Sequence, residues 1–238
     1  MKLLIFDTET TSIKPGNICQ LSYILIDASS KPQKTIGKNF FFTVEDMDPA
    51  AEQIHGFSLE KLYELSNGLY FEDLVDEFLE DFQEADFIIG HNVNFDIRFL
   101  KHEVEGMGLE FEPKNKFCTM RYYINICKIP KANGDIKNPK LEEVIKFLNI
   151  SKEQISKKSK ELFNDVNNYH DARYDTTATY LLIIEGLKQG YIPKNYFTNL
   201  LAKKAKKHWF LFSVLLCFIL LRILYNIHIF LLLFLHQL

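Results

Sequence analysis

The sequence predicts an α/β domain, a mixed sheet flanked by helices, and three observations lead there. Three strand-like segments come early, helical periodicity follows them, and from residue 86 onward strands alternate with helices. The soluble part, about 200 residues, is long enough for one domain with a substantial core. No internal repeat suggests a solenoid instead.

Leu3 to Phe6 is a short apolar run that reads as a buried strand ending at Asp7. Cys19 to Ile26 and Gly37 to Val44 are rich in Ile, Leu, Phe and Thr, with a turn signal at Asp27 to Pro32 between them. That pattern predicts hairpin-connected strands. Ser58 to Leu65 and Phe71 to Phe82 show helical spacing; in the latter Phe71, Leu74, Val75, Phe78, Leu79 and Phe82 recur every three or four residues. Asp86 to Gly90 is a strand, followed by a polar HNVN loop and a helix over Phe95 to Gly106. A short strand at Lys116 to Cys118 leads into a helix from Thr119 to Cys127, and Leu141 to Leu148 is amphipathic. The Lys- and Asn-rich stretches at 131–140 and 151–168 read as surface loops, and Asp171 to Lys188 as a long helix.

The formal net charge of -3 excludes a polyanion-binding sponge, which needs many phosphate contacts. It allows an enzyme that grips a few nucleotides through metal ions. The four cysteines form no CxxC pair and are scattered, which argues for reduced thiols in a cytoplasmic setting rather than a disulfide framework or a zinc site. The N-terminus lacks the long apolar run of a signal peptide.

The last thirty or so residues differ in kind. After Lys203-Lys204-Ala205-Lys206-Lys207, the stretch from Trp209 to Leu235 is overwhelmingly apolar, without Gly or Pro. As one helix it would be about 40 Å long, more than the roughly 30 Å hydrocarbon core of a bilayer. The preceding lysines favour an enzyme domain on the cytoplasmic face, and Trp209 suits an interfacial anchor. Arg222 opposes insertion by roughly 2.5–3.5 kcal/mol, which its apolar neighbours can offset. The expected organisation is one α/β domain over 1–190, a basic linker over 191–207 and a hydrophobic helical tail over 208–238, tethering the chain to a membrane. Packing on another protein, or an aberrant reading frame, are the other readings of that tail.

Asp7 and Glu9 stand two residues apart at the end of the first strand, so they face the same way about 7 Å apart. Two carboxylates beside a buried sheet repel each other and lose hydration, and a divalent cation removes that penalty. Two solvated acids in a loop is the plainer reading of an isolated D-x-E. Asp96 falls in the first turn of a helix, with Asn94 as the expected N-cap. The helix dipole alone favours an acid there, but the strand–loop–helix context aims it at the end of the sheet, where ligands gather in α/β folds. His170 and Asp175, five apart, would point about 140° apart on one helix. They converge if His170 stands in the loop, Asp171 caps, and Asp175 projects from the opening turns.

The ordered set FDTET, HNVNFD and HDARYD resembles the DEDDh 3′→5′ exonuclease family, whose best-known type is the proofreading subunit of bacterial DNA polymerase III. The resemblance covers roughly residues 1–190, and Ile54-His55-Gly56, the CTMRYY stretch and the KLEEVIKFL helix are similar to further family segments. It implies a ribonuclease-H-like fold, Asp7, Glu9, Asp96 and Asp175 as ligands of two divalent cations, Mg2+ or Mn2+, and His170 as general base. It also implies that His55 contacts substrate and that Thr8 and Thr10 lie beside the terminal nucleotide, although strand-end packing or turn bonding is the ordinary role of such threonines. Ser12 departs from the family, which commonly has glycine there, and this puts the substrate grip of that loop in question.

The activity implied is two-metal hydrolysis of a nucleic acid from its 3′ end to nucleoside 5′-monophosphates. Single-stranded DNA is the favoured substrate, because the segment spacing looks more like the polymerase-subunit branch. A polymerase partner would then act in trans. RNA trimming of the oligoribonuclease and RNase T kind, an endonuclease on the same fold, and a non-catalytic membrane-attached nucleic-acid-binding protein are the alternatives.

Overall fold

The computed structural model describes residues 1–164, 170–204 and 206. Five strands form one mixed sheet in the order β3-β2-β1-β4-β5: β1 Lys2–Thr10, β2 Ile18–Asp27, β3 Lys34–Phe41, β4 Phe87–Gly90 and β5 Lys116–Cys118. The first three strands are antiparallel neighbours, while β4 pairs parallel to β1 and β5 parallel to β4. The expected α/β class with a mixed, helix-flanked sheet is what the chain adopts.

The early helices are α1 Pro49–His55, α2 Leu59–Ser66, α3 Phe71–Leu74 and α4 Leu79–Glu84, and after β4 comes α5 Asn94–Gly106. The chain continues through α6 Thr119–Cys127, α7 Leu141–Phe147, α8 Lys152–Phe163 and α9 Ala172–Lys188. One sheet face carries Leu4, Phe6, Leu21 and Tyr23 into a core with Phe42, Phe78, Phe82, Phe99 and Leu100, contributed largely by α4 and α5. Edge-to-face ring pairs such as Phe6–Phe82, with centroids 5.1 Å apart, build this core. The opposite face is covered by α9 over β1 and β2 and by α8 over β3.

Four local expectations are corrected. β1 does not end at Asp7 but continues to Thr10, because Thr8 and Glu9 still pair with Leu21 and Gln20 of β2. The periodic run Phe71 to Phe82 is not one helix: a 3-10 turn over Val75–Glu77 separates α3 from α4, and Phe78, with φ -135, seats its ring in the core. Asn94 does not cap α5; Val93 occupies the cap, and no side chain bonds the helix start. Within 151–168, where a loop was expected, Lys152–Phe163 forms α8, opened by a capping box of Ser151 and Gln154. The absence of glycine and the single apolar stripe of α8 explain both the helix and its lysine-rich disguise.

The chain divides into two units, Met1–Tyr191 and Ile192–Leu238. In the second, residues 196–204 are helical. Among the described residues no helix is long and apolar enough to cross a membrane. The apolar stretch from Trp209 to Leu235, with its reading as a membrane anchor, lies outside the described residues. Cys19, Cys118 and Cys127 are free thiols.

Candidate active site

Alternation along β1 divides its side chains between the two sheet faces. Leu4 and Phe6 enter the aromatic core, and Thr8 follows them toward α5. Asp7 and Glu9 therefore fall on the other face, under the opening turns of α9. There they meet Asp175: one carboxylate oxygen from each of the three lies within 4.8 Å of the others. Asp171 is the N-cap of α9, its carboxylate accepting from the Arg173 N–H, and His170 stands before the helix with a positive φ of 65°. That arrangement solves the spacing problem of His170 and Asp175, since only the second lies on the helix. The His170 backbone N–H donates to Asp175 Oδ2 at 3.1 Å, while the residue itself is exposed.

Asp96 arrives from α5 on the other side of β1. Its Oδ1 accepts from both the Thr8 backbone N–H, at 3.2 Å, and the Thr8 hydroxyl, at 2.9 Å. Thr8 thus ties the α5 carboxylate to the strand that carries Asp7 and Glu9. Thr10 donates to the Ser12 carbonyl at 2.9 Å, which is the turn bonding expected of such a residue. Ser12 in turn donates to the Lys14 carbonyl and is not among the positive-φ residues, so this loop closes without a glycine at that point.

Burial raises the pKa of all four acids, and for Asp7, Glu9 and Asp175 neighbouring carboxylates add to it. The Asp7 carboxyl is held well above the usual range by burial first and then by Asp96, Asp175 and Glu9. Glu9 is raised the same way, by burial and then mainly by Asp175. Burial lifts Asp96 to about 7 against the two Thr8 hydrogen bonds, and lifts Asp175 to about 7 against the His170 N–H. Asp175 Oδ1 is enclosed and has no hydrogen-bond partner. An enclosed, unpaired carboxylate oxygen beside two further carboxylates fits a divalent cation, which prefers such oxygens and neutralises their repulsion.

A cleft of about 210 Å³ opens beside the acids, lined by Thr8, Glu9, Thr10, Ser12, Ile13, Asp48, Ala50, Ala51, Ile54, His55 and Phe95. His55, at the end of α1, accepts from the Phe57 N–H through Nδ1 at 3.1 Å and places Nε2 4.0 Å from Cys19 Sγ. Burial lowers its basicity. A register shift between Glu9 and Thr10, where Thr10 pairs with Ile18, leaves Cys19 as an extra residue opposite the strand end. The structure thus brings Asp7, Glu9 and Asp175 into direct proximity, Asp96 beside them through Thr8, and Thr8, Thr10 and His55 onto one cleft. Sequence reasoning missed three residues: the apolar wall Ile13, which carries no motif, the wall Phe95, which stands inside HNVNFD but beside the acid that draws attention there, and the buried amide of Gln20, which reads as an ordinary strand residue.

A family model described as an exonuclease, of the RNase T type, matches residues 4–183. The DNA polymerase III subunit epsilon of Rickettsia conorii is 36% identical over 108 residues, a match covering 44% of this chain and 44% of that subunit. The Salmonella typhimurium subunit is 29% identical over 121 residues, covering 48% of each chain. The matches therefore span less than half the length of these relatives. Among solved structures, exonuclease I of Methylocaldum szegediense superposes with a TM-score of 0.61 at 17% identity, covering 84% of this chain and 43% of that one. E. coli exonuclease I in complex with a dT13 oligonucleotide superposes with a TM-score of 0.60 at 17% identity, covering 79% of this chain and 41% of the other.

Proposed function

The chain belongs to the exonuclease family, and from that premise we propose that it hydrolyses single-stranded DNA from the 3′ end. The single observation that carries the reading is the meeting of Asp7, Glu9 and Asp175 within 4.8 Å, with Asp175 Oδ1 enclosed and unpaired. Asp7, Glu9, Asp175 and Asp96 would hold two divalent cations, Mg2+ or Mn2+. When bound, such a pair polarises the scissile phosphate and lowers the cost of forming hydroxide and of releasing the 3′ oxygen.

The remaining work falls to this chain's own side chains. The cleft beside the acids receives the terminal nucleoside, with Ile13, Ile54 and Phe95 offering apolar contact to a base, and Thr8, Thr10 and His55 bordering it. His170, exposed just ahead of α9, takes a proton from the attacking water. The new bond forms between that water's oxygen and phosphorus. The bond from phosphorus to the 3′ oxygen of the penultimate nucleotide breaks, releasing a nucleoside 5′-monophosphate. Thr8 fixes Asp96 by two hydrogen bonds, so one of its oxygens is held while the other stays available. Similarity to the epsilon subunits supports DNA over RNA and a polymerase partner acting in trans.

The test is digestion of matched 5′-labelled DNA and RNA oligonucleotides by the full chain with Mg2+ or Mn2+. Stepwise shortening from the 3′ end, faster on DNA, is expected. EDTA should abolish it, and His170→Ala should lower kcat by about 10²–10⁴-fold. Internal cuts, or undiminished activity of His170→Ala or in excess EDTA, would overturn the reading.

A further inference from the structure

Gln20 is a fully buried amide in the middle of the sheet, an environment that charges for any unmade hydrogen bond. It stands directly opposite Glu9 in the β1–β2 ladder, so its side chain leaves the same sheet face as the acid's. Both ends of that amide are spent on neighbouring elements. Its Oε1 accepts from the Ala172 N–H at 3.0 Å, one of the otherwise unpaired donors of the first turn of α9. Its Nε2 donates to Asp171 Oδ1 at 3.1 Å and to Asn39 Oδ1, on β3, at 2.9 Å. Asp171 is clamped in turn by Arg173, whose backbone N–H and Nε donate to Oδ1 at 3.0 and 2.9 Å and whose NH2 group donates to Oδ2 at 2.7 Å. Ser22 Oγ, on the same face of β2, donates to Asn39 Oδ1 at 2.6 Å, and Thr176 Oγ1 reaches the Ser22 carbonyl at 3.1 Å.

The consequence is geometric. His170 and Asp175 flank the point where α9 begins, while Glu9 lies on β1, and no covalent path shorter than 160 residues joins β1 to that point. The strand residue opposite Glu9 bonds the two residues that open α9. We infer that Gln20 is the positioning residue that sets the start of α9, and hence His170 and Asp175, against the Asp7–Glu9 edge of the sheet. The inference rests on the proposed roles of His170 and Asp175. Gln20 itself touches no substrate: it acts through Asp171 and Ala172.

The test compares Gln20→Met, which keeps length and volume but not the hydrogen bonds, with Gln20→Glu, which sets a carboxylate against Asp171. A third protein combines Gln20→Glu with Asp171→Asn, which restores a donor facing the new acid and still caps the helix. The full chain is assayed in every case, with His170→Ala as control. A displacement of about 1 Å at the reacting groups costs on the order of 10²-fold. Gln20→Met and Gln20→Glu should therefore lose roughly 10- to 100-fold in kcat, with KM changed less than about twofold, because the cleft walls are built from other elements. The double variant should recover most of what Gln20→Glu lost. Wild-type kcat in Gln20→Met beside an inactive His170→Ala would overturn this inference alone. Failure of the double variant to exceed Gln20→Glu would do the same, as would a rise in KM matching the fall in kcat. Equal activity of wild type and His170→Ala would instead overturn the proposed reading of the site.

Discussion

Asp7, Glu9 and Asp175 sit closer together than buried carboxylates tolerate while all are ionised. Asp96 and Asp175 are lifted to about 7, against an ordinary carboxylate range near 4. The folded protein, without metal, thus binds more protons than the unfolded chain between those values. The sign follows: the contribution to stability is fully present below about pH 4 and is lost as pH rises through about 7. The metal-free protein should melt at a lower temperature at pH 8 than at pH 5, and Mg2+ should close most of that gap at pH 8. Asp7→Asn removes one of the repelling charges. It should raise the metal-free melting temperature at pH 8, by roughly 2–4 °C for each kcal/mol of repulsion relieved, while lowering kcat by at least about 10²-fold. Calorimetry with and without EDTA reads both effects. A metal-free melting temperature that climbs from pH 5 to pH 8 would contradict the account of the cluster. At this scale the meeting of Asp7, Glu9 and Asp175 is legible from spacing and motif, with Asp96 joined to their strand through Thr8. The roles of Gln20 and Asn39 are not, because an amide inside a β-strand looks the same in sequence whether it faces solvent or anchors a helix across the sheet.

Elements were legible in proportion to how strictly they alternate or repeat. β2 and α9 carry unambiguous patterns and fall close to where periodicity places them. α8 does not, because only a narrow stripe of it is apolar: Ile155 and Ser159 are buried, and seven of its twelve residues are lysine, glutamate or glutamine. Its place depends on packing that no local window contains. At Gly37 of β3 an added Cβ would lie 2.7 Å from the Leu162 carbonyl oxygen and 3.1 Å from its Cβ. Backbone cannot yield as a flexible side-chain tip can, so α8 must back away from the sheet. Gly37→Ala should cost about 1–3 kcal/mol of stability, read as a lower denaturant midpoint with an unchanged slope. Activity below the melting transition should be preserved, since Gly37 touches none of the acids. A substitution with no effect on the midpoint would show that α8 does not bear on β3 at this point. The break between α3 and α4 has the same origin: the period-3.6 pattern is present, but burying Phe78 against Phe40 and Phe71, with centroids 5.1 and 5.4 Å away, turns the chain out of a single helix.

For the molecule as a whole, charge would set how the nucleic acid of the proposed reaction is held. The chain carries 28 Lys and Arg against 31 Asp and Glu, and the cleft beside the acids is lined by neither lysine nor arginine. A protein that neutralises Z phosphates of a single strand with its own cations loses affinity with a log–log salt slope of about -0.7Z. Here the cleft offers apolar walls, two threonines and a histidine, and the positive charge beside the phosphate would come from bound cations rather than side chains. Counter-ion release from the strand is then small, and so is its salt dependence. With free Mg2+ held constant, log(kcat/KM) for a single-stranded DNA should fall with log[KCl] at a slope between 0 and about -2, corresponding to at most about three side-chain phosphate contacts. The fall should reside in KM, because salt screens encounter and grip rather than the enclosed acids. A slope steeper than about -4 would mean that a basic surface elsewhere on the chain tracks the strand, and the near-neutral composition would no longer describe how the enzyme binds.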